Sequence, residues 1–208
     1  MKSTLAVFFL ALLLSCNGDS EKPTTTASSI AKDTNTSQPS AINPYGAIDI
    51  SPMDVSYYPT DFPVLKMSGK AAAEPVARII YSRPHKQGRK IFGSLLKYGE
   101  PWRLGANEAT EIELFQTIRI QNKPVAKGRY IMYCIPSEKN WMIVLNTNNY
   151  TWGLKQDTTK DVYRFEIPVQ KLLSPIENFT IVFQEKPEGP EIVIAWDVIE
   201  ARLPFTIS

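Results

Sequence analysis

Apolar side chains recur at every second position in run after run of this chain, and that period points to strands. Over residues 110–121, Ile112, Leu114, Gln116, Ile118 and Ile120 fall on one face, while Glu111, Glu113 and Arg119 fall on the other. Over residues 161–169, Tyr163, Phe165, Ile167 and Val169 alternate with Arg164 and Glu166. Successive side chains of a strand point to opposite faces, so such segments bury one face and wet the other. Further strands are read at 75–83, 129–136, 141–146, 179–185, 191–199 and 202–207, with 141–146 apolar on both faces, as a central strand is. Residues 122–128, ending in Gly128, form a turn, and short helical turns fit 91–97 and 169–173. No long amphipathic helix, heptad run or internal repeat is visible. A leading segment carries Pro52, Pro59 and Pro63 beside Tyr57, Tyr58 and Phe62; it reads as an extended arm rather than a helix. The expected fold is all-β, an antiparallel β-sandwich of about eight strands, with a jelly roll among the arrangements that fit.

The amino terminus carries a different signal. Lys2 precedes an apolar stretch over residues 5–14, which ends at Ser15-Cys16. That is the layout of a bacterial lipoprotein signal, with a small residue before a cysteine that takes the lipid. A membrane-spanning helix needs about 20 apolar residues, more than this stretch has. The expected organisation is a signal peptide at 1–15, a lipid-anchored tether at 16–42 and a single β domain at 43–208. In residues 17–42, ten of 26 positions are Ser or Thr and no apolar period is present. Such a segment buries too little to order itself and spans about 25–30 Å as a flexible coil. The expected location is the cell envelope, tethered to a membrane through Cys16, with the outer membrane favoured. Asp19 and Glu21 resemble the surface-export signals of some Bacteroidota lipoproteins, which leaves periplasmic and surface-exposed sides both open.

Composition narrows the chemistry. The formal net charge is +2, so bulk electrostatics predict no nucleic-acid partner. Beyond Cys16 the one remaining cysteine is Cys134, inside an apolar run, where a buried inert thiol is expected. His85 is the single histidine, so zinc sites of the usual Cys/His kinds cannot be assembled. No metal, cofactor or catalytic residue is assigned. His85 sits between Pro84 and Lys86 in a basic loop and reads as solvated.

The candidate site is the long connection at 83–108. A hairpin takes about 2–5 residues, and this one takes 26, rich in glycine and polar side chains. Long loops on a rigid β scaffold are a common place for binding sites. Arg83, Arg89 and Arg103, with Lys86, supply donors for a carboxylate, phosphate or sulfate. Trp102 and Trp152 supply flat faces suited to sugars or aromatic ligands, and Asn107 and Glu108 can bond hydroxyls. The leading expectation is a module binding an anionic or glycan ligand. Two alternatives stand beside it. In a structural or assembly subunit of an envelope complex, with a protein partner elsewhere, the same arginines would be spent on ion pairs with Glu108, Glu111 and Glu113. In a hydrolase, Glu108 would act as general acid/base.

The block Trp102-Arg103-Leu104-Gly105-Ala106-Asn107-Glu108-Ala109-Thr110, preceded by Arg83-Pro84, by Gly88 to Gly93 and by Tyr98-Gly99, resembles the domain-of-unknown-function 2911 family of Bacteroidota. Gly128-Arg129-Tyr130, Trp141, Trp152-Gly153 and Asp161-Val162 are similar too. The resemblance covers roughly residues 50–207 and implies an exported, often lipid-anchored β domain, without an activity or ligand to carry over. His85 stands where the family pattern leads one to expect a small or basic residue, which argues against an essential histidine. Lys97 stands where a proline is more usual.

Overall fold

The computed structural model describes residues 49–207. The expected signal peptide, the lipid site at Cys16 and the tether to residue 42 lie outside them. Ten strands, a short helix α1 (Phe62–Met67) and one 3-10 turn make up the described chain. A seven-stranded antiparallel sheet runs in the order β1 (Met53–Tyr58), β2 (Ala77–Ser82), β3 (Glu111–Leu114), β6 (Gly128–Pro136), β7 (Asn140–Asn146), β8 (Asp161–Gln184) and β9 (Glu191–Pro204). A three-stranded sheet is formed by β4 (Ile118–Ile120), β5 (Lys123–Val125) and β10 (Thr206–Ile207). The all-β antiparallel class is as the alternation predicts. The strand order is a meander, interrupted where β4 and β5 leave to pair with β10.

Four local readings are corrected. The alternating run at 110–121 is two strands in two sheets. Its inward face holds as expected, with Ile112, Leu114, Ile118 and Ile120 buried, but the chain turns a corner at 115–117, where Gln116 is exposed. A polar residue in the middle of the apolar face is what allows the departure. The helical turn expected at 169–173 is strand, because Val169, Gln170 and Lys171 pair with Ala201, Glu200 and Ile199 of β9. The turn at 91–97 forms without becoming helical. The leading arm is an edge strand followed by α1. Pro63 occupies the first turn of that helix, where its missing N–H has no intrahelical acceptor to lose.

The sheet curls until β8 returns to β2. Past Ser82 the chain leaves β1 and pairs with β8: Phe179 N donates to Pro84 O at 3.0 Å, and Lys86 N to Glu177 O at 2.7 Å. Higher up, Phe183 N donates to Ser56 Oγ at 3.2 Å, joining β8 to β1. The interior is one aromatic column. Phe205, Tyr58 and Phe183 pack at the small-sheet end, Tyr81 and Phe179 in the middle, and Trp102, Trp196, Trp141 and Phe92 at the other. Residues 83–110 cover that last end.

Candidate ligand-binding site

The loop at 83–110 is an ordered wall because strands hold both its sides. Trp102 exchanges two backbone hydrogen bonds with Cys134 of β6, at 2.7 and 2.8 Å, and Gly99 N donates to Pro136 O at 2.8 Å. This stretch therefore extends the sheet edge alongside β6 beyond the end of β3. On the other side Ser82 Oγ accepts from Ala106 N at 2.7 Å and from Asn107 N at 3.1 Å. Gly105 is required there, since a Cβ on it would lie 2.6 Å from Ser82 Oγ. Leu104 is fully buried with φ of 57°, a left-handed conformation that costs a branched side chain free energy and persists where packing over-determines it. Thr110 Oγ1 locks the same carbonyl, donating to Leu104 O at 2.6 Å.

A second support comes from β9. Asp197 is the single charge between Ile192 and Ile199. It sits at a register shift of the β8–β9 pair, with φ of 51°. Its carboxylate is buried and accepts from Ile91 N at 3.3 Å, with Lys86 Nζ at 3.6 Å. One buried carboxylate thus ties both ends of residues 86–91 to the sheet.

Between these supports lies a pocket of about 550 Å³. Trp102 and Trp196 form its floor, and Arg89 and Arg103 supply charge from the loop. Lys97 and Glu100 also line it and pair with each other at 3.6 Å. Ile50, Leu95 and Leu154 stand around its mouth.

The candidate residues divide. Arg89, Trp102 and Arg103 line the pocket; Arg83, Asn107, Glu108 and Trp152 do not. Arg83 spends its donors on Phe179 O at 3.2 Å, Asp54 Oδ2 at 3.0 Å and Thr180 Oγ1 at 3.1 Å, fastening the loop's start to β8 and β1. Asn107 clamps the incoming chain, donating to Ser51 O at 3.0 Å and to the Asp49 carboxylate. Trp102 is 6% exposed within a cluster that includes Phe179 at 4.9 Å and Trp196 at 6.0 Å, so it is a floor and not a stacking platform. Trp152 is half exposed and outside the pocket, but the next two residues matter. Gly153, at φ of 77°, lies so close that a Cβ on it would come within 2.8 Å of Ala109 Cβ and 3.1 Å of Arg103 Cβ. Leu154, the next residue, lines the pocket. Glu108 is exposed. His85 is half-buried and lines the wall, held by its bridge to Asn178. Cys134 is fully buried, and burial pushes its thiol well above the ordinary value, as expected of an inert core cysteine.

The arginines carry the electrostatics. Arg89 donates to the main-chain carbonyls of Lys86, at 2.9 Å, and His85. Arg103 donates to Ala106 O, and its Nε is buried with no acceptor among the described residues. Burial pushes the Arg103 guanidinium below its ordinary pKa, and the Glu108 carboxylate pulls it partway back. The β3 carboxylates do not help: Glu113 pairs with Arg78 at 2.6 Å, and Arg129 lies 3.8 Å from Glu111 and 3.7 Å from Glu113. Arginine stays charged at neutral pH, so Arg103 is a half-buried cation on the pocket lining. Among the described residues, no three His, Cys, Asp or Glu side chains gather as metal ligands would.

Arrangements of this kind define a class: a curled antiparallel β domain with an apolar-floored, arginine-bearing pocket at one end. Within that class the chain belongs to the family described as "Protein of unknown function (DUF2911)", whose pattern it matches over residues 65–205. No curated protein and no solved structure matches it.

Proposed function

We propose that this chain is a binding module for a small anionic ligand, held at the cell envelope by a lipid on Cys16. The observation that carries the reading is that two guanidinium groups, those of Arg103 and Arg89, line one pocket of about 550 Å³ over an apolar floor. A carboxylate or phosphate that accepts from a guanidinium gains a charge-assisted bond, which is stronger than a neutral one. Arg89 on the same pocket adds a second cation. An anion is favoured over a neutral glycan because the tryptophan in the pocket floor is too buried to stack a sugar ring.

The test is a thermal-shift series on the purified chain with benzoate, citrate, phosphate and sulfate, repeated with Arg103→Lys. An anion at 100 times its Kd stabilises the fold by about 2.7 kcal/mol. The expected result is a saturable rise in Tm that shrinks with added salt and disappears in a still-folded Arg103→Lys, because lysine cannot reproduce the planar fork. No rise with any anion, or a rise that Arg103→Lys leaves intact, contradicts the reading.

A further inference from the structure

Resting on that reading, we infer that the ligand is a single-chain amphiphile, an alkyl carboxylate or alkyl phosphate. Its head group sits on Arg103 and Arg89, and its chain lies over Leu95, Leu96 and Leu154. Isolated apolar side chains on a surface are ordinary. Here they converge: Ile50 is 74% exposed, Leu95 48% and Leu154 76%, and all three line the mouth of one pocket. Behind them the wall is apolar, with Leu96 and Pro101 above the Trp102–Trp196 floor.

Placement adds to the count of apolar groups. Leu154 follows Gly153, whose backbone lies so close to Arg103 that a Cβ on it would come within 3.1 Å of Arg103 Cβ. The segment that presents the apolar rim is therefore the one that packs on the cationic residue. A small hydrophilic anion would use Arg103 and leave the leucines in water. An anion with an alkyl chain uses both, and the pocket volume exceeds what a carboxylate or phosphate group alone fills.

Calorimetric titration of the full chain with acetate, hexanoate and decanoate, and with methyl and decyl phosphate below their micelle concentrations, tests this. The expected result is a Kd that falls about two- to fourfold per added methylene. A Leu95→Ser/Leu154→Ser variant, changed at two exposed positions, should lose that dependence while keeping the short-anion affinity. Arg103→Lys should weaken every length by a similar factor. Equal affinity for acetate and decanoate, or a length dependence that survives the double variant, overturns the amphiphile and leaves the anion site standing. Decanol binding as tightly as decanoate overturns the anion reading as well, and so does no binding at any length.

Discussion

Gly105 and Gly153 decide how closely the chain can pack around Arg103. A methyl group on Gly105 would meet Ser82 Oγ at 2.6 Å, and Ser82 is itself buried and fixed by two backbone donors. Overpacking of this kind costs about 1–3 kcal/mol. Gly153→Ala meets a comparable clash at Ala109 Cβ and also strains a left-handed backbone, a further cost of about 1–2 kcal/mol. Both variants should lower the denaturant midpoint in urea, Gly153→Ala by more. An unchanged midpoint would mean that the wall can shift and that Arg103 is not held. These constraints explain why Trp102 to Thr110 reads as a block. Trp102 is core, Leu104 and Gly105 make the bend, Asn107 clamps Asp49 and Ser51, Thr110 pins the Leu104 carbonyl, and Arg103 alone in the block turns its charge to the pocket. Residue types in the sequence showed that the loop was special, but they did not separate the fasteners from the ligand group. Arg83 and Arg103 look alike on paper. Only the acceptors on Phe179, Asp54 and Thr180 reveal that the first is occupied.

The loop is an element only because β9 props it. Asp197 reaches Lys86 and the Ile91 amide from beneath. Asparagine tolerates a left-handed backbone and keeps a carbonyl oxygen for Ile91, whereas alanine does neither. Asp197→Ala should raise the rate of tryptic cleavage at Lys86, Arg89 and Lys90 by about tenfold or more, taking the opening free energy of the segment to fall by at least about 1.4 kcal/mol, while Asp197→Asn stays near wild type. Equal cleavage in the two variants would assign the loop's order to its own turns. Asp197 was legible as a lone charge in an apolar strand, but nothing local in the sequence ties it to Ile91, 106 residues away. The strands were legible wherever one face is buried and the other wet, as in β3 and the first half of β8. Two features escaped for physical reasons. The corner between β3 and β4 keeps the alternation on both sides, so the period alone cannot see the change of sheet. The middle of β8 is strand through its pairing with β9, a long-range contact that overrides local preference. Leu95, Leu96 and Leu154 joined the pocket unannounced, because an apolar residue in a loop carries no mark of which cavity it faces.

At the scale of the molecule, the closing of β8 onto β1 and β2 makes one interior of the curled sheet. Tyr58 reports on that closure. Its hydroxyl donates to Glu185 Oε2 at 2.6 Å, and burial, followed by that bond and the nearby carboxylate charge, pushes its pKa from 10.0 up to about 12. The folded state therefore holds this proton more tightly than the unfolded chain. The resulting stabilisation is complete below pH 10 and is lost as pH rises toward 12, by an amount on the order of 2 kcal/mol. Tyr81, Tyr130 and Tyr133 shift in the same direction, each first through burial. Urea midpoints should fall between pH 10 and 12, and Tyr58→Phe should flatten part of that fall; an identical profile in the variant would remove Tyr58 from the account. The envelope placement is tested separately by Cys16→Ser, which should move the chain from the membrane fraction to the soluble one and abolish labelling with a palmitate analogue. Persistence of label in that variant would contradict a lipid on Cys16. Arg103 is assigned as a ligand-binding cation and Arg83 as a structural one. The most direct measurement is the arginine Nε–Hε NMR spectrum of the ¹⁵N-labelled chain during titration with decanoate. The Arg103 resonance should shift saturably, with Arg89 following and Arg83 unmoved. A spectrum in which Arg103 stays still, or in which all arginines drift together with ionic strength, would contradict it.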